Sequence, residues 1–348
     1  MNQLPLAKRV QILSMLCEGV SLRSISRMAD VSVNTAMKLL VDAGKACLLF
    51  HDVAVQGVAA KRVQCDEIWS FTYAKQKNVE GAKSAPAGAG DTWTWTAIDA
   101  DSKLIISWLV GKRDAACAHQ FMGDVAARIK NRVQLTTDGF KAYFDAVEDT
   151  FLGEIDYAVL VKIYGRLSTE QATRYSPAEC IGTKIDVVNG DPDPEHISTS
   201  YVERHNLTMR MHMRRFTRLT NGFSKKFANH VCMVALYTVF YNFIKIHKTL
   251  RVTPAMQAGL AQSVMTFEEL AEIIDAATAT KPGPRGARTK RMRPKIQTET
   301  LPGFLRFHTR TTWDWRYWRA SGCATPPAMD AGSSAASPAR RDRLSRSS

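Results

Sequence analysis

Three acidic residues stand in segments whose composition could organise phosphoryl-transfer chemistry: Asp66 in QCDEIWSFTY, Asp138 in VQLTTDGFKAY and Glu203 in STSYVERHNLTMRMHMRRF. Two aspartates at strand ends and a glutamate on a following helix can hold a pair of Mg²⁺ ions. Oxygen ligands suit this hard cation, and two ions about 4 Å apart stabilise both the attacking and the leaving oxygen of an in-line displacement. Each acid also has a plainer reading. In an alternating strand one residue in two simply faces solvent, so Glu67 has the same claim as Asp66. Asp138 ends an apolar strand just before Gly139, where active groups of α/β sheets collect, but an aspartate there also caps helices. Ser200 and Glu203 have the spacing of a capping box. Glu203 shares its helical face with Asn206 and Arg210, a set in which the glutamate could hold metal while the other two contact a phosphate.

The surroundings of these acids are basic. From Arg204 to Lys226 the chain carries Arg204, Arg210, Arg214, Arg215, Arg218, Lys225 and Lys226. Bare carboxylates would repel a phosphodiester, and such a run offsets that repulsion, although a solvated helix face has the same composition. Over 348 residues, 47 lysines and arginines against 33 acids give a net charge of +14, which favours a polyanionic partner. Nucleic acid is the most economical one, while charge alone is also compatible with a membrane surface or a solubility effect.

The positioning elements follow from periodicity. Residues 4 to 49 read as helical, with a helix-turn-helix outline in SLRSISRMADVSVNTAMKLLVDAG. Ser21 and Ser32 are the expected N-caps. Val33, Ala36, Met37, Leu40 and Val41 recur at helical spacing and should pack inward. Asn34, Thr35 and Lys38 then face outward, placed to touch a DNA major groove. After Ala60 the period becomes two: VQCDEIWSFTY, DTWTWTAID and KLIISWLVG read as three antiparallel strands, the last two joined tightly at Asp99 to Ser102. A helix at 114–129, a strand at 132–137, a helix at 140–148 and a strand at 157–164 continue an α/β alternation. Lys75 to Gly90 reads as a mobile polar loop, and 165–200 as a loop or small insert. FANHVCMVALYTVFYNFIKIH should be a core helix packed on the sheet.

The first twenty residues are too interrupted by charge for a signal peptide, and no long uncharged apolar span is expected later, which predicts a cytoplasmic protein without membrane insertion. Cysteines 17, 47, 65, 117, 180, 232 and 323 form no C-x-x-C pair and read as ordinary apolar residues. Past a helix near 266–277, the run KPGPRGARTKRMRPK carries seven basic residues and no acid, a composition that stays disordered until it meets an anion. WDWRYWRA and an Ala, Ser, Pro and Arg tail follow.

DEIWSF, LTTDGF, STSYVERHNLTMRMHMRRFTRLTNGFSKK and YNFIKIHKTLRVTP resemble segments of the insertion-sequence-one family of bacterial transposases, whose catalytic acids are two aspartates and a glutamate. The resemblance covers roughly residues 1 to 260 and implies an α/β fold. Its expected parts are a helix-turn-helix DNA-binding domain over 1–50, a ribonuclease-H-like mixed-sheet catalytic domain over 60–260, and a tail over 261–348. It assigns Asp66, Asp138 and Glu203 to two Mg²⁺ ions, with Mn²⁺ as a substitute, and leaves Asn206 and Arg210 as supporting or DNA-contacting residues. The implied activity is metal-dependent cleavage and strand transfer at the ends of the element, on DNA, by a homodimer or larger assembly. His247 is expected to pack or to face substrate rather than ligate metal. A DNA-binding regulator with a dead catalytic domain and a ribonuclease-H-like nuclease are the competing readings.

Overall fold

The β-branched and aromatic run Arg62–Thr72 (β1) lies at the middle of a six-stranded mixed sheet in the order β3-β2-β1-β4-β5-β6. Its partners are β2 (Gly90–Asp99), β3 (Ile105–Gly111), β4 (Gln134–Thr137), β5 (Asp156–Tyr164) and β6 (Cys180–Asn189). β1, β2 and β3 pair antiparallel, β4 and β5 run parallel to β1, and β6 turns back antiparallel on β5. This mixed sheet is consistent with a ribonuclease-H-like fold. The computed structural model describes residues 4–165, 180–217 and 221–279. All of them fall within one compact unit, Met1–Arg288. Arg218, part of the expected insert, the basic run and the tryptophan-rich segment lie outside the described residues.

The parallel register sets the site. Gln64 of β1 pairs with Thr136 of β4, so two residues further along each strand come Asp66 and Asp138, where the β1–β4 ladder has ended. β4 stops here while β1 runs on to Thr72 beside β2, so Asp66 stands in mid-strand rather than at the strand end expected of it, and a crevice opens beyond the carboxyl end of β4.

Helices cover both faces. α4 (Ala115–Arg128) and α5 (Ala142–Phe151) pack on the face that carries Trp95, whose ring meets Phe121 of α4 and Tyr143 of α5. On the other face, α6 (Ser200–His212) lies against β1 and β2. α7 (Phe227–Val239) begins beside β1, where His230 meets the hydroxyl of Ser70 at 3.5 Å, and runs on through a π-helical turn, Phe240–Ile244. Asn242 in that turn bonds both the N–H and the C=O of Ile105, at 3.0 and 2.9 Å, fixing the segment to β3. Phe227–Ile244 is long and apolar enough to cross a membrane, yet 72% of it is buried inside the protein, as suits a core helix.

The amino-terminal helices are α1 (Leu6–Cys17), α2 (Leu22–Met28) and α3 (Val33–Ala54). Ser21 and Ser32 cap α2 and α3, accepting from the amides of Ser24 and Thr35 at 3.1 and 3.0 Å. Their apolar faces join the same core as the sheet and α7. α3 crosses α7 so closely that a methyl group on Gly44 would lie 2.3 Å from the Cβ of Cys232. α8 (Pro254–Gln257) and α9 (Phe267–Thr278) close this side, α9 packing on α1 and α3 and receiving Arg9 of α1 at Asp275.

Two local expectations change. Val33 is exposed and Leu39 takes an inward place, because the capped first turn of α3 sits at the rim of the core. Part of the expected 165–200 insert is the edge strand β6. Its side chains are solvated on both faces, although Ile181, Thr183, Ile185 and Val187 alternate with Gly182, Lys184 and Asp186 in the manner of a strand. The loop after β1 is tied at its base by reciprocal bonds between Gln76 and Asp91.

Candidate active site

Asp66, Glu67 and Asp138 each place one carboxylate oxygen within 4.8 Å of the others. Asp66 and Glu67 leave the middle of β1 on opposite faces, and Asp138 stands beside them just past the end of β4. One Asp138 oxygen, Oδ1, accepts from the Phe140 amide at 3.0 Å within the turn, but it does not cap the next helix, whose N-cap is Lys141. The other, Oδ2, accepts from Arg113 at 3.2 Å.

α6 brings the fourth acid. Its N-cap is Thr199, not Ser200, and the expected capping box is absent. The reason lies on β1: Gln64 Oε1 accepts from the amides of Tyr201 and Val202 at 2.9 and 3.1 Å, satisfying first-turn donors that a capping residue would otherwise take. Glu203 is thereby released from the backbone. Its Oε1 accepts from the Thr199 hydroxyl at 2.6 Å, and its Oε2 pairs with Lys162 near the end of β5. One turn further, Asn206 donates to Asp66 Oδ2 at 2.8 Å, so α6 is joined to β1 at two points, Gln64 and Asp66.

The acids are under electrostatic pressure. Burial pushes the Asp66 carboxyl up to about 6, with further rise from Asp138 and Glu203 and relief from the Glu67 amide and Asn206. Burial and then Asp138 push Glu67 up to about 8, against the pull of Arg113. Arg113 Nε lies 3.5 Å from Glu67 Oε2, and its guanidinium packs over Phe140 at 4.0 Å and Trp93 at 5.2 Å. Glu67 Oε1 is buried, and the nearby Tyr143 hydroxyl eases the rise slightly without meeting hydrogen-bond geometry. Crowded, partly protonated carboxylates are what a hard cation would relieve, so the donor set fits a divalent metal.

The remaining expected residues separate into groups. Asn34 and Lys38 are exposed on α3, Lys38 pairing with Asp42, while the Thr35 hydroxyl is 2.8 Å from that of Ser32. Arg204 and Arg214 are exposed, and Arg210 is half-buried on α6. Arg215 points inward, to Ser224 Oγ at 3.2 Å and Met37 Sδ at 3.9 Å, and burial lowers its pKa to about 10. His247 has a buried ring nitrogen without a partner among the described residues, away from the acid cluster's ligand set. Gln64, Arg113 and Lys162 were not singled out from sequence. Arg113 carried the only usable signal, a cation at a strand end just before the helix cap Asp114.

No protein-family model and no curated sequence matches the chain. Among solved structures, it is similar to a piggyBac transposase synaptic complex with hairpin DNA, at 9% identity and a TM-score of 0.35, over 78% of this chain and 70% of that one. It is also similar to the Mos1 transposase paired-end complex with the left transposon end, at 13% identity and a TM-score of 0.18, over 43% and 58% of the two chains. For the Mos1 strand transfer complex the identity is 15% and the TM-score 0.20, over 46% and 59%. The chain thus spans less than two thirds of the Mos1 chains. At such distances residue roles rest on the geometry of the site itself.

Proposed function

We propose that the chain is a DNA transposase, which cuts DNA at the ends of its own element and joins the freed 3′ ends to a target at one acidic centre. The observation that carries this reading is the convergence of Asp66, Glu67 and Asp138 at the β1–β4 crevice, with α6 bringing Asn206 onto Asp66 and Glu203 near enough to raise the Asp66 pKa, though outside the cluster of three. Divalent cations held by Asp66, Asp138 and Glu203, Mg²⁺ or Mn²⁺, would supply activation of the attacking oxygen and charge stabilisation at the phosphoryl group.

The chain's own groups have distinct tasks. Burial and Asp138 raise the Glu67 carboxyl further than that of Asp66, so Asp66 gives up its proton more readily, which favours it over its neighbour as the ligand. Asn206 holds the Asp66 carboxylate in one rotamer. Arg113 and Lys162, paired with Asp138 and Glu203, keep the acids from repelling a phosphodiester and can turn to its oxygens. Asn34, Thr35 and Lys38 at the start of α3 would read the element end in the major groove. Arg204 and Arg214 would hold backbone phosphates. Joining two ends requires two copies, so a dimer on DNA is part of the proposal.

The test is incubation of the purified chain with labelled DNA from both flanks of its gene and a plasmid target, in Mg²⁺ or EDTA. Joined products that need the metal support a transposase. Metal-dependent cutting without joining would make it a nuclease, and binding without breakage would make it a regulator.

A further inference from the structure

On the sheet face that carries Glu67, the next two side chains along β1 are Trp69 and Phe71, and Trp93 of β2 stands directly opposite Trp69. Trp95, opposite Glu67, is fully buried, but Trp69 and Trp93 are only partly covered. The row continues across the chain: Trp69 and Phe71 have ring centroids 5.8 Å apart, and Phe71 lies 4.6 Å from Phe223, which precedes α7. Cations are set along it. Lys75 lies 5.9 Å from the Trp69 ring, Lys225 lies 3.2 Å from the Phe223 ring, and Arg113 joins Trp93 to the acids.

A core would exclude the lysines, and a solvated face would not gather four aromatic rings. Rings that offer π-faces, with cations beside them to meet the backbone, are the arrangement that binds single-stranded nucleic acid. Bases inside a duplex are stacked on one another and cannot use such a surface. Trp69 is two residues from Glu67, about 7 Å along the strand, so a strand gripped here would lead directly to the acids.

We propose that Trp69, Trp93 and Phe223, backed by the buried Phe71 and flanked by Lys75 and Lys225, form a stacking strip for unpaired DNA bases next to the bond acted on at the acidic centre. The proposal rests on the DNA reading above and adds the state of the strand: its bases are unpaired as they pass the site. The strip discriminates single strands from duplex, whereas α3 and the exposed arginines address duplex.

The experiment measures anisotropy of a labelled 16-nucleotide oligothymidine and a labelled 16-base-pair duplex on the full chain in EDTA. It compares wild type with Trp69→Leu, Trp93→Leu and Trp69→Phe, each checked for native circular dichroism. Loss of one stacking ring should weaken single-strand binding by about 5- to 150-fold while duplex affinity stays within about twofold, and Trp69→Phe should retain most single-strand binding. Single-strand binding should also quench tryptophan fluorescence, less so in the leucine variants. Folded leucine variants that bind oligothymidine as wild type does, or that lose both DNAs equally, overturn the strip. Wild type that binds duplex but not oligothymidine overturns the strip alone. Wild type that binds neither overturns the DNA reading as well.

Discussion

Replacing Glu67 by glutamine should make the metal-free protein more stable in alkali. Burial and the neighbouring Asp138 raise the Glu67 carboxyl from its ordinary 4.5 to about 8. The folded state therefore holds this proton more tightly than the unfolded chain. The associated stability is fully present below about pH 4.5 and is lost as pH rises through about 8. At about 1.4 kcal/mol per factor of ten in proton affinity, the loss is at most roughly 5 kcal/mol. The repulsion with Asp138 is shared between partners, and Arg113 recovers part of it, so about 2 kcal/mol is the working expectation. Glutamine is isosteric and uncharged, so the variant should match wild type near pH 5 and exceed it by about 2 kcal/mol at pH 9. Urea unfolding in EDTA across this range, with the m-value compared between proteins, reads the difference directly. Equal pH slopes for the two proteins, or a variant less stable at pH 9, would refute the electrostatic argument.

Other outcomes follow from the same geometry. Millimolar Mg²⁺ or Ca²⁺ should raise the melting temperature of wild type, by about 2.7 kcal/mol of stabilisation at one hundred times the dissociation constant, and should do so little in Asp66→Asn or Asp138→Asn. Gln64→Leu should cost about 1–3 kcal/mol and slow cleavage, because two first-turn amides of α6 lose their acceptor. Gln64→Glu keeps the acceptor and should recover much of both, as thermal melts and cleavage rates of the pair will read. Gly44→Ala should destabilise by about 1–3 kcal/mol in denaturant titration, because the added methyl meets the backbone and Cβ of Cys232 on α7.

The sheet was largely legible because β1, β2 and β3 are long runs of aromatic and β-branched residues, and Asp138 announced itself by ending an apolar strand before glycine. The cap serines of α2 and α3 were legible for the same reason: capping is local, decided within three or four residues. What sequence could not supply was set by contacts far apart in the chain. Gln64 looked like any polar residue of an alternating strand, yet it caps a helix that begins 136 residues later. That distant bond is why the capping box at Ser200 and Glu203 does not form and why Glu203 is free to face Lys162. Asn206 was placed on the right face of α6 by helical spacing, but its partner, Asp66, was visible only in the fold. β6 carried a legible alternation at Ile181, Thr183, Ile185 and Val187, but it went unread inside a stretch whose prolines at 177, 192 and 194 read as loop.

On the proposed function, the acids at the β1–β4 crevice break and join DNA without being needed to hold it. The most direct measurement compares wild type with Asp138→Asn on element-end DNA, following binding in EDTA and strand cleavage in Mg²⁺ on the same preparations. The expected result is binding within about twofold of wild type and cleavage reduced by about a thousandfold or more, the loss typical of removing a group that acts only in the transition state. Cleavage that survives in Asp138→Asn, or binding that falls in step with cleavage in a folded variant, would contradict it.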